Sequence, residues 1–553
     1  MDIRLQVLKE IIAREVFITS ETERIVEPTG EESKWIFDFR RILLKNNVLN
    51  TITELFWEKS KEKIPFQIGG VEVAAIPLIT AFILKAREKG VEMNGFFIRK
   101  SRKKSGLLKM IEGCLTDEKV ILIDDLMNSG NSLMRQVEIL EKLGKKVSAV
   151  FTILQFRDVG YYTYFHDKGI EIQSLFTLDD FRDSLHVQNV APQKRDPIPM
   201  PFKAQWQFIS SAPNYFYVIP KSAPAIDDTK LYFGADNGNF WAINQKDGTV
   251  AWKYTIRSHS KGKYIFSSPT IHNNLVYFGA YDGNFYALDK ETGKRKWVFM
   301  EADWIGSSPC SASSLNSIFV GLEFGLWKKR GGLAALDLTS GKKKWEYVMP
   351  GLTPASPAYA DKEKMVICGC NDFSVYGFGA RNGVLLWRFE TGGEVKASCA
   401  IDEKRGLVAF GSFDAHIYIL NIKTGKVVYK IETNEAIDST PLIKGDYLYT
   451  ASLDKKIYCV DLNTGAIVWQ FGTNGRIFAS PESIGDKIYI GANDGRLYEL
   501  DAKTGKNTAF FQVTERITNK ICYNKKTGNI FLPTFANEIY CLSDTREFIR
   551  PTA

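Results

Sequence analysis

The sequence has few histidines and cysteines and no long apolar run, and each shortage excludes a class of protein. Its 553 residues include five histidines and eight cysteines, and neither set has the spacing of a metal-binding motif. The cysteines are scattered through apolar, strand-like stretches, which favours reduced thiols in a cytoplasmic protein over a disulfide framework. The longest apolar candidate for a membrane span, residues 73–84, is much shorter than the roughly 20 residues required and contains a proline.

Charge and composition restrict the possible partners further. The first residues, MDIRLQVLKEIIARE, are charged and amphipathic, without the apolar segment of a signal peptide. A formal net charge of +8 is a mild bias for this length, so it permits nucleic-acid binding but does not argue for it. With 44% hydrophobic and 25% charged residues, the chain has the composition of folded domains. We therefore expect a folded cytoplasmic protein that does not associate with membranes.

The chain is too long for one ordinary domain, and its pattern changes near residue 200. Residues 1–190 alternate helical and strand-like stretches, which predicts an α/β domain with a parallel sheet and flanking helices. Residues 205–545 contain short strands and turns at a regular spacing. Between them, residues 191–204 hold four prolines and are predicted to form a stiff linker.

The second region consists of internal repeats. Each copy has a strand ending in glycine, a polar turn, an aromatic–apolar strand ending in Asp or Asn, a Thr-Gly turn and a tryptophan, as in YFGAYDGNFYALDKETGKRKW. Intervals of 40–48 residues separate the markers, which matches four-stranded blades and predicts an all-β, eight-bladed propeller. The eight marker positions are Trp241, Tyr286, Ala334, Tyr376, Tyr418, Tyr458, Tyr498 and Tyr540.

The two ends of the repeat region complement each other. The eighth copy stops after Leu542 and lacks the outer strand that carries a tryptophan. An equivalent strand, Gln205–Phe208, precedes the first copy and is similar to Trp469–Phe471, which follows the sixth marker. We therefore expect the first strand to complete the last blade and so remove the free sheet edges.

These repeats resemble the quinoprotein-type (PQQ-like) propeller family. The resemblance is carried by the turn Asp289–Gly293 and the docking residue Trp297, and by the equivalent positions of the other copies. Enzymatic members use an adjacent cysteine pair beside the quinone, whereas this chain has Cys368 and Cys370 separated by a glycine. The resemblance therefore implies a scaffold that binds a protein partner rather than quinone chemistry.

The segment VILIDDLMNSGNS, residues 120–132, predicts a binding site in the first region. A buried strand of four apolar residues is followed by Asp124 and Asp125, a short loop, and a helix that begins near Asn131. Backbone N–H groups at a helix N-terminus suit a phosphate monoester, and paired carboxylates can bind the two hydroxyls of a ribose. An acidic turn after a strand is the simpler interpretation of an isolated Asp pair, but the order of strand, acids, Ser-Gly loop and helix favours a phosphate-and-ribose site.

This segment resembles the phosphoribosyl-diphosphate (PRPP) motif of type I phosphoribosyltransferases, and its neighbours point to the orotate branch. FQIGGVEVAAIPLITAF resembles the loop that approaches pyrophosphate, FIRKSRKKSG the mobile catalytic loop, and SLFTLDDF the closing segment of the core. The resemblance, which runs from about residue 60 to 181, implies catalytic roles for Lys103, Arg99 and Asp125 and contact of Arg157 with the base. It also implies PRPP binding by Asp124, Asp125, Asn128, Ser129, Gly130, Asn131, Ser132, Gly69, Gly70 and Lys100.

Two positions depart from the pattern of this family. Ser105 stands where the catalytic loop usually has histidine, and Phe156 replaces the acid that usually precedes the arginine at position 157. The resemblance further implies Mg²⁺ bound with PRPP, mainly through substrate oxygens and water, and at least a homodimer. The resemblance implies no metal held by protein ligands alone.

Three functions remain open at this point. The first is a PRPP-dependent transferase that joins ribose 5-phosphate to orotate or a related base. The second is a non-catalytic PRPP or nucleotide sensor that regulates the propeller, which the departures at Ser105 and Phe156 favour. The third is a propeller that acts as a protein- or peptide-binding platform, regulated by the first domain.

Overall fold

The structure is a computed structural model that describes residues 2–19, 35–99, 110–181, 198–211, 213, 222–256, 264–326 and 329–546. These residues form two compact units, and the chain passes from one to the other at Ile198–Pro199. Within the described ranges, no helix combines the length and apolarity needed to span a bilayer. All eight cysteines carry free thiols; most are buried, whereas Cys114 is exposed.

The first unit alternates helices and strands. A π-helical turn, Ile12–Val16, continues the first helix, and 3₁₀ turns occupy Phe39–Arg41, Lys61–Lys63, Val159–Tyr161 and Leu178–Phe181. The remaining elements are α1 (Ile3–Ile11), β1 (Phe17–Thr19), β2 (Trp35–Phe37), α2 (Asn46–Ser60), β3 (Phe66–Val71), α3 (Ala75–Glu88), β4 (Gly95–Ile98), β5 (Ile111–Gly113), β6 (Lys119–Met127), α4 (Asn131–Lys142), β7 (Val147–Gln155), α5 (Thr163–Asp167) and β8 (Glu171–Thr177).

Six strands form one sheet in the order β5-β4-β3-β6-β7-β8. All neighbouring pairs are parallel except β4 and β5, and β1 pairs with β2 in a separate antiparallel ribbon. The chain leaves β3 toward β4 on one side and returns to β6 on the other. A crevice at such a switch point is where open α/β sheets bind ligands, so the edge formed by the ends of β3 and β6 is the place to look for a site. The predicted α/β fold is confirmed.

The core of this unit explains its strand composition. Strand β7 reads VSAVFTILQ and is buried along almost its whole length, because helices cover both faces of the parallel sheet. The ring of Phe56 on α2 lies 3.9 Å from that of Phe151 on β7 and 4.3 Å from that of Phe82 on α3, measured between centroids. These contacts join two helices to the central strands of the sheet, close-packed as protein interiors are.

The second unit contains eight four-stranded antiparallel sheets, as the repeats predicted. The eighth blade takes Phe202–Ile209 as its outermost strand, so the predicted closure by the segment around Trp206 is confirmed. From the first strand to the outermost, the blades are Ala225–Ile226, Lys230–Gly234, Asn239–Asn244, Val250–Thr255; Thr270–His272, Leu275–Gly279, Phe285–Asp289, Arg295–Phe299; Cys310–Ala312, Ser317–Phe324, Arg330–Asp337, Lys343–Met349; Ala358–Ala360, Met365–Cys370, Ser374–Gly379, Leu385–Glu390; Ala400–Asp402, Leu407–Gly411, His416–Asn421, Val427–Glu432; Leu442–Lys444, Tyr447–Ala451, Lys456–Asp461, Ile467–Gly472; Glu482–Ile484, Lys487–Gly491, Arg496–Asp501, Asn507–Gln512; and Cys522–Tyr523, Ile530–Pro533, Glu538–Asp544, Phe202–Ile209.

The Thr-Gly turns and the tryptophans hold neighbouring blades together. Gly505 has φ +70°, and a Cβ there would lie 2.5 Å from Cδ2 of Trp469 in the preceding blade. Trp469 in turn donates its Nε1–H to the carbonyl of Ala502, 3.1 Å away. The indole thus covers a turn that only glycine can form without strain. The same packing recurs between Gly248 and Trp206, Gly293 and Trp252, Gly341 and Trp297, Gly383 and Trp345, Gly425 and Trp387, and Gly465 and Tyr429.

The marker tyrosines have a second linking role. Tyr418 donates its hydroxyl to Asp414 four residues earlier, and the same carboxylate accepts the N–H of Gly392 from the preceding blade. A half-buried carboxylate therefore joins two blades, which explains why the repeat keeps both residues at a fixed spacing. Equivalent tyrosine–aspartate bonds join Tyr286 to Asp282, Tyr376 to Asp372, Tyr458 to Asp454 and Tyr498 to Asp494.

Candidate functional site

Strand β6 carries the paired acids beyond the point where its neighbour stops. Its register with β3 ends at the pair Gly69 and Leu122, whereas its pairing with β7 continues to Met127 and Gln155. The sequence predicted a strand that ends before the acids. This is wrong, because pairing with β7 keeps the segment extended through Met127. Asp124 and Asp125 consequently line an edge of β6 that β3 leaves open.

The two carboxylates are held by the backbone around them. Asp124 accepts the N–H of Asp125 at 3.0 Å, and Asp125 accepts the N–H of Leu126 at 2.8 Å. Partial burial raises the pKa of Asp125, while these hydrogen bonds and the positive charge of Arg40 act against that rise. Arg40 lies in the 3₁₀ turn after β2, and sequence reasoning missed it because nothing local in FDFRR indicates a ligand site.

The loop after β6 turns directly into α4. Gly130 is buried with φ +75°, and a Cβ there would lie 3.0 Å from Met127 Cε and 3.1 Å from Phe165 Cε2. Helix α4 begins at Asn131, as predicted, and no side chain caps it. Its first N–H groups are therefore available at the carboxyl edge of the sheet, where a helix N-terminus attracts anions.

A buried tyrosine, Tyr162, binds the backbone of this loop. The hydroxyl of Tyr162 lies 3.0 Å from the carbonyl oxygens of both Met127 and Asn128, and it accepts the N–H of Arg157 at 3.3 Å. Tyr162 is 1% exposed, and burial raises its pKa, so the hydroxyl remains a donor at neutral pH. It links the loop after β6 with the segment after β7. The sequence YYTYF gave no sign of this role, because the contact spans 34 residues.

The predicted pyrophosphate segment begins as the neighbouring strand, and its two glycines lie within β3 instead of in a loop after it. A Cβ on Gly69 would lie 2.3 Å from Phe96 Cζ, and one on Gly70 would lie 2.4 Å from the carbonyl oxygen of Ile123 and 2.5 Å from Ala75 Cβ. Packing alone thus requires glycine at both positions. Helix α3, which starts at Ala75, also has no side-chain cap and no acid in its first turn. A second uncapped helix N-terminus therefore follows β3 at the same edge of the sheet.

Arg99 follows β4 and lies between two acids. Its Nη1 is 3.7 Å from Glu72 Oε2 and 3.6 Å from Glu112 Oε1, and its backbone N–H donates to Met110 at 2.8 Å. Glu72 belongs to the segment that joins β3 to α3, so Arg99 is held beside the predicted pyrophosphate loop. Lys100, Lys103 and Ser105 lie outside the described residues.

Arg157 comes two residues after β7, beside an aromatic cluster. Its guanidinium lies 5.7 Å from the ring centre of Tyr161. The ring of Phe156 stacks on Trp35 at 6.0 Å and 11°, and meets Phe37 edge-on at 5.8 Å. The residue that replaces the usual acid therefore packs in an apolar cluster instead of facing a ligand as a carboxylate would. The structure thus places these predicted residues toward the carboxyl ends of neighbouring parallel strands, at one edge of the sheet: Gly70 within β3, Asp124 and Asp125 within β6, Arg99 just after β4 and Arg157 just after β7.

The predicted loop residues differ in exposure. Gly130 is buried and Ser129 and Asn131 are half-buried, whereas Asn128 and Ser132 are exposed. The hydroxyls and amides of this loop are therefore accessible from solvent, while the glycine is fixed in the protein interior. A phosphate held here would contact backbone N–H groups and a ring of small polar side chains.

The chain was compared with known proteins. It is 30% identical over 179 residues to the orotate phosphoribosyltransferase of Bradyrhizobium sp. strain ORS 278. The aligned region spans 32% of this chain and 95% of that protein. In the second unit, the family model for the β-propeller of β-alanine-activating enzyme matches residues 329–551, and the model for outer membrane protein assembly factor BamB matches residues 203–360.

Solved structures reproduce the propeller fold. BamB from Moraxella catarrhalis superposes with a TM-score of 0.51 at 17% identity, covering 63% of this chain and 98% of that one. Quinohemoprotein alcohol dehydrogenase from Comamonas testosteroni gives 0.54 at 12%, covering 64% and 78%. At these identities the likeness shows the fold alone. Through its first unit, with the sheet order and site geometry described above, the chain belongs to the orotate phosphoribosyltransferase family of pentosyl-transferring enzymes, and this unit is followed by an eight-bladed propeller of the PQQ and BamB type.

Proposed function

We propose that the first unit transfers the 5-phosphoribosyl group of PRPP to orotate or a related base. The observation that carries this proposal is the sequence of paired acids, left-handed glycine and uncapped helix at the open edge of β6. One ligand with a vicinal diol and a phosphate monoester matches both halves of this site. The names of the relatives supply the nature of the acceptor.

The substrate roles follow from the charges. Asp124 and Asp125 would accept hydrogen bonds from the two ribose hydroxyls, and their own backbone bonds already orient them. The first turn of α4, with Asn128–Ser132, would hold the 5′-phosphate. Partial burial raises the pKa of Asp125, which disfavours its ionised form. When substrate binds, the hydroxyl donors of the ribose and a nearby cation would favour the ionised form.

Loss of pyrophosphate is the step that needs most stabilisation. The ribosyl centre becomes oxocarbenium-like while negative charge grows on the departing diphosphate, so cations placed there lower the barrier. Arg99, Lys100 and Lys103 belong to a basic run, and Arg99 would exchange its two acid partners for the diphosphate. The oxygen donors Asp124 and Asp125 suit a Mg²⁺ ion, which would be bound mainly by substrate oxygens and would supply charge neutralisation.

The acceptor would bind near the end of β7. Arg157 follows this strand, and its charge would pair with a carboxylate on the base. The aromatic cluster of Trp35, Phe37 and Phe156 lies beside it and would favour a planar ring over a hydrated one.

We propose further that the protein is a cytoplasmic homodimer or larger assembly and that the propeller binds a protein partner. The family resemblance supports the dimer, because the catalytic loop of these enzymes acts in a neighbouring subunit. The broad faces and central channel of a propeller support a partner larger than a metabolite.

The full-length chain, Mg²⁺-PRPP and a panel of bases test the enzyme directly, with pyrophosphate release as the readout. Asp125→Ala should abolish detectable PRPP binding in calorimetry, because the ribose loses a charged acceptor. Lys103→Ala should leave binding within severalfold and reduce kcat by roughly 10²–10³, as expected for one donor that acts in the transition state. Asp179→Ala, an exposed acid beyond β8, is the control and should change neither quantity.

Phe156 and Ser105 favour a second candidate, a PRPP or nucleotide sensor without turnover. It predicts that Mg²⁺-PRPP binds, that Asp125→Ala abolishes binding, and that no base releases pyrophosphate even with the natural sequence. Absence of PRPP binding to the natural sequence at millimolar Mg²⁺ would contradict both candidates.

A further inference from the structure

The central channel of the propeller contains a cavity of about 700 Å³. The start of each blade's first strand contributes the motif that lines it. Seven blades each contribute a lining residue from the same position of the repeat. In most of these blades the residue lies two positions before a Ser or Thr, which is followed closely by the first strand of the blade. These seven residues are Phe266, Gly306, Pro354, Lys396, Asp438, Phe478 and Thr518.

A ring of hydroxyls surrounds the same channel and fixes its shape. The N–H of Ser268 donates to Ser308 Oγ, and that of Ser308 donates to Ser356 Oγ, both at 2.9 Å. Farther around the ring, Thr440 donates its N–H to Ser480 Oγ, also at 2.9 Å. Each bond crosses from one blade to the next, so the channel wall is preorganised and its polar backbone is satisfied.

The lysines in the channel wall differ from its aspartate in their ion pairing. Lys396 Nζ lies 2.5 Å from Glu394 Oε2, and Lys520 Nζ lies 2.7 Å from Glu482 Oε2. Each lysine therefore has its own carboxylate. Asp438 is half-buried between them in the wall and, within the described part of the chain, makes no hydrogen bond or ion pair.

An unpaired carboxyl in such surroundings is costly to ionise. Burial raises the pKa of Asp438 to about 7; Lys396 acts against the rise, and Glu394 adds to it. A cation bound beside Asp438 would give this carboxylate an ion-pair partner and would favour its ionised form. The channel therefore lacks one positive charge at a defined place.

The rest of the wall describes the body of the ligand. Phe266 and Tyr281 meet edge-on at 5.0 Å, and Phe478 adds a third ring. Prolines and short side chains complete most of the wall. One carboxyl lies beside these rings: Glu323, which accepts the N–H of Gly306 at 3.2 Å and whose pKa burial raises to about 7. Such a surface binds an apolar or aromatic skeleton, and its rings also attract cations.

We propose that the propeller channel binds a small organic cation, a protonated primary amine on an apolar skeleton, with its ammonium group donating to Asp438. This proposal does not depend on the phosphoribosyltransferase site, and a protein without transferase activity should still bind the amine. A cavity of this volume accommodates a small molecule in full.

Phenethylamine and its neutral counterpart 2-phenylethanol test the proposal with the full-length protein in calorimetry. The amine should bind at least tenfold more tightly than the alcohol. Asp438→Asn keeps the shape of the side chain and should weaken amine binding by about 10- to 100-fold, with little effect on the alcohol. Asp486→Asn, an exposed acid of the seventh blade, is the control and should leave amine binding unchanged.

A pH series gives a second readout. The amine stays protonated between pH 6 and 8, so its affinity should rise roughly tenfold as Asp438 ionises. Lys396, Glu394, Lys520, Glu482, Glu323, Cys310 and Tyr281 are the other titratable groups near the cavity. Burial raises the pKa of Glu323 to about 7 as well, so the pH dependence is assigned to Asp438 only if Asp438→Asn, which leaves Glu323 in place, removes it. Above pH 8, where Asp438 is ionised, Lys396→Gln should raise amine affinity by removing a like charge. Equal binding of alcohol and amine, tighter binding of 3-phenylpropionate, or no effect of Asp438→Asn in a folded protein would each overturn the proposal.

Discussion

At the scale of single residues, the side chains that hold the candidate site in place lie outside its recognisable motifs. Tyr162 supports two carbonyl groups of the loop before α4, and Arg40 places positive charge near Asp125. Neither residue binds substrate in the proposed mechanism. They decide how precisely the motif residues are positioned, which matters because small displacements of binding groups are expensive in catalysis.

Tyr162→Phe should therefore weaken Mg²⁺-PRPP binding although the ring remains in place. The variant leaves the carbonyls of Met127 and Asn128 without their buried donor, which costs about 1–2 kcal/mol and lowers affinity roughly tenfold. Calorimetry with PRPP measures the effect, and Tyr161→Phe is the neighbouring control. Unchanged affinity in Tyr162→Phe would show that the hydroxyl does not position the loop.

A buried carboxylate in the seventh blade leads to a prediction about stability and pH. Burial alone would raise the pKa of Glu499, but hydrogen bonds from Arg546, Tyr489 and Thr508 outweigh it and hold the pKa below its ordinary value. A lowered folded-state pKa stabilises the protein above the unfolded value of about 4.3, and the benefit is lost as the pH falls.

Arg546→Met should accordingly lower the free energy of unfolding of the propeller at pH 7 by about 2–4 kcal/mol, because Glu499 is left buried and charged without its main partner. The difference between variant and natural protein should shrink below pH 4. Thermal unfolding followed by tryptophan fluorescence at both pH values measures this. A difference that is the same at pH 7 and pH 3.5 would contradict the assigned role of the ion pair.

Sequence reasoning located the motif residues of the site but not their supports. Asp124, Asp125 and Gly130 belong to one continuous segment, so their order along the chain was sufficient to predict a ligand site. Tyr162, Arg40 and the acids around Arg99 act across 13 to 85 residues, and such contacts have no local pattern. The apolar packing of Phe156 was equally hidden, because it depends on where Trp35 lies.

At the scale of elements, the blade turn is the unit that is repeated. In seven blades the turn combines a left-handed glycine with an indole or phenol from the preceding blade, whereas Gly528 of the eighth blade has no atom within 4 Å of an added Cβ. The pattern was visible in the sequence because all its parts fall within one repeat. Even Ala334, which lacks the aromatic ring, occupies the marker position of its blade, paired with Val320 and Glu346.

Alanine substitutions at two glycines of the seventh blade distinguish the cost of backbone strain from the cost of a steric clash. Gly505→Ala should lower the free energy of unfolding by about 2–4 kcal/mol, because its Cβ would collide with Trp469 in addition to the left-handed strain. Gly485→Ala has φ +57° and no atom within 4 Å of the added Cβ, so it should cost only about 1 kcal/mol. Urea denaturation measures both, and equal losses would show that the indole does not determine the turn.

At the scale of the whole molecule, the closing strand determines whether the propeller is a complete ring. Strand Phe202–Ile209 pairs with Glu538–Asp544 along its full length. A chain that begins at residue 200 should therefore be soluble and cooperative in thermal unfolding. A chain that begins at residue 215 leaves an open sheet edge and should melt at a clearly lower temperature or aggregate. Equal melting temperatures of the two chains would contradict closure by this strand.

The side chain of Gln207 donates a hydrogen bond to Glu538, 331 residues later, and this separation also has a consequence for biosynthesis. The ribosome makes the closing strand before any of the seven blades that follow and before the partner strand, Glu538–Asp544. During that interval the closing strand has no partner, and the ring cannot close until residues 538–544 have been made. A chain truncated before Glu538 therefore exposes two unsatisfied edges at once, one at each end of the incomplete ring, and should be recognised by cellular quality control as incompletely folded.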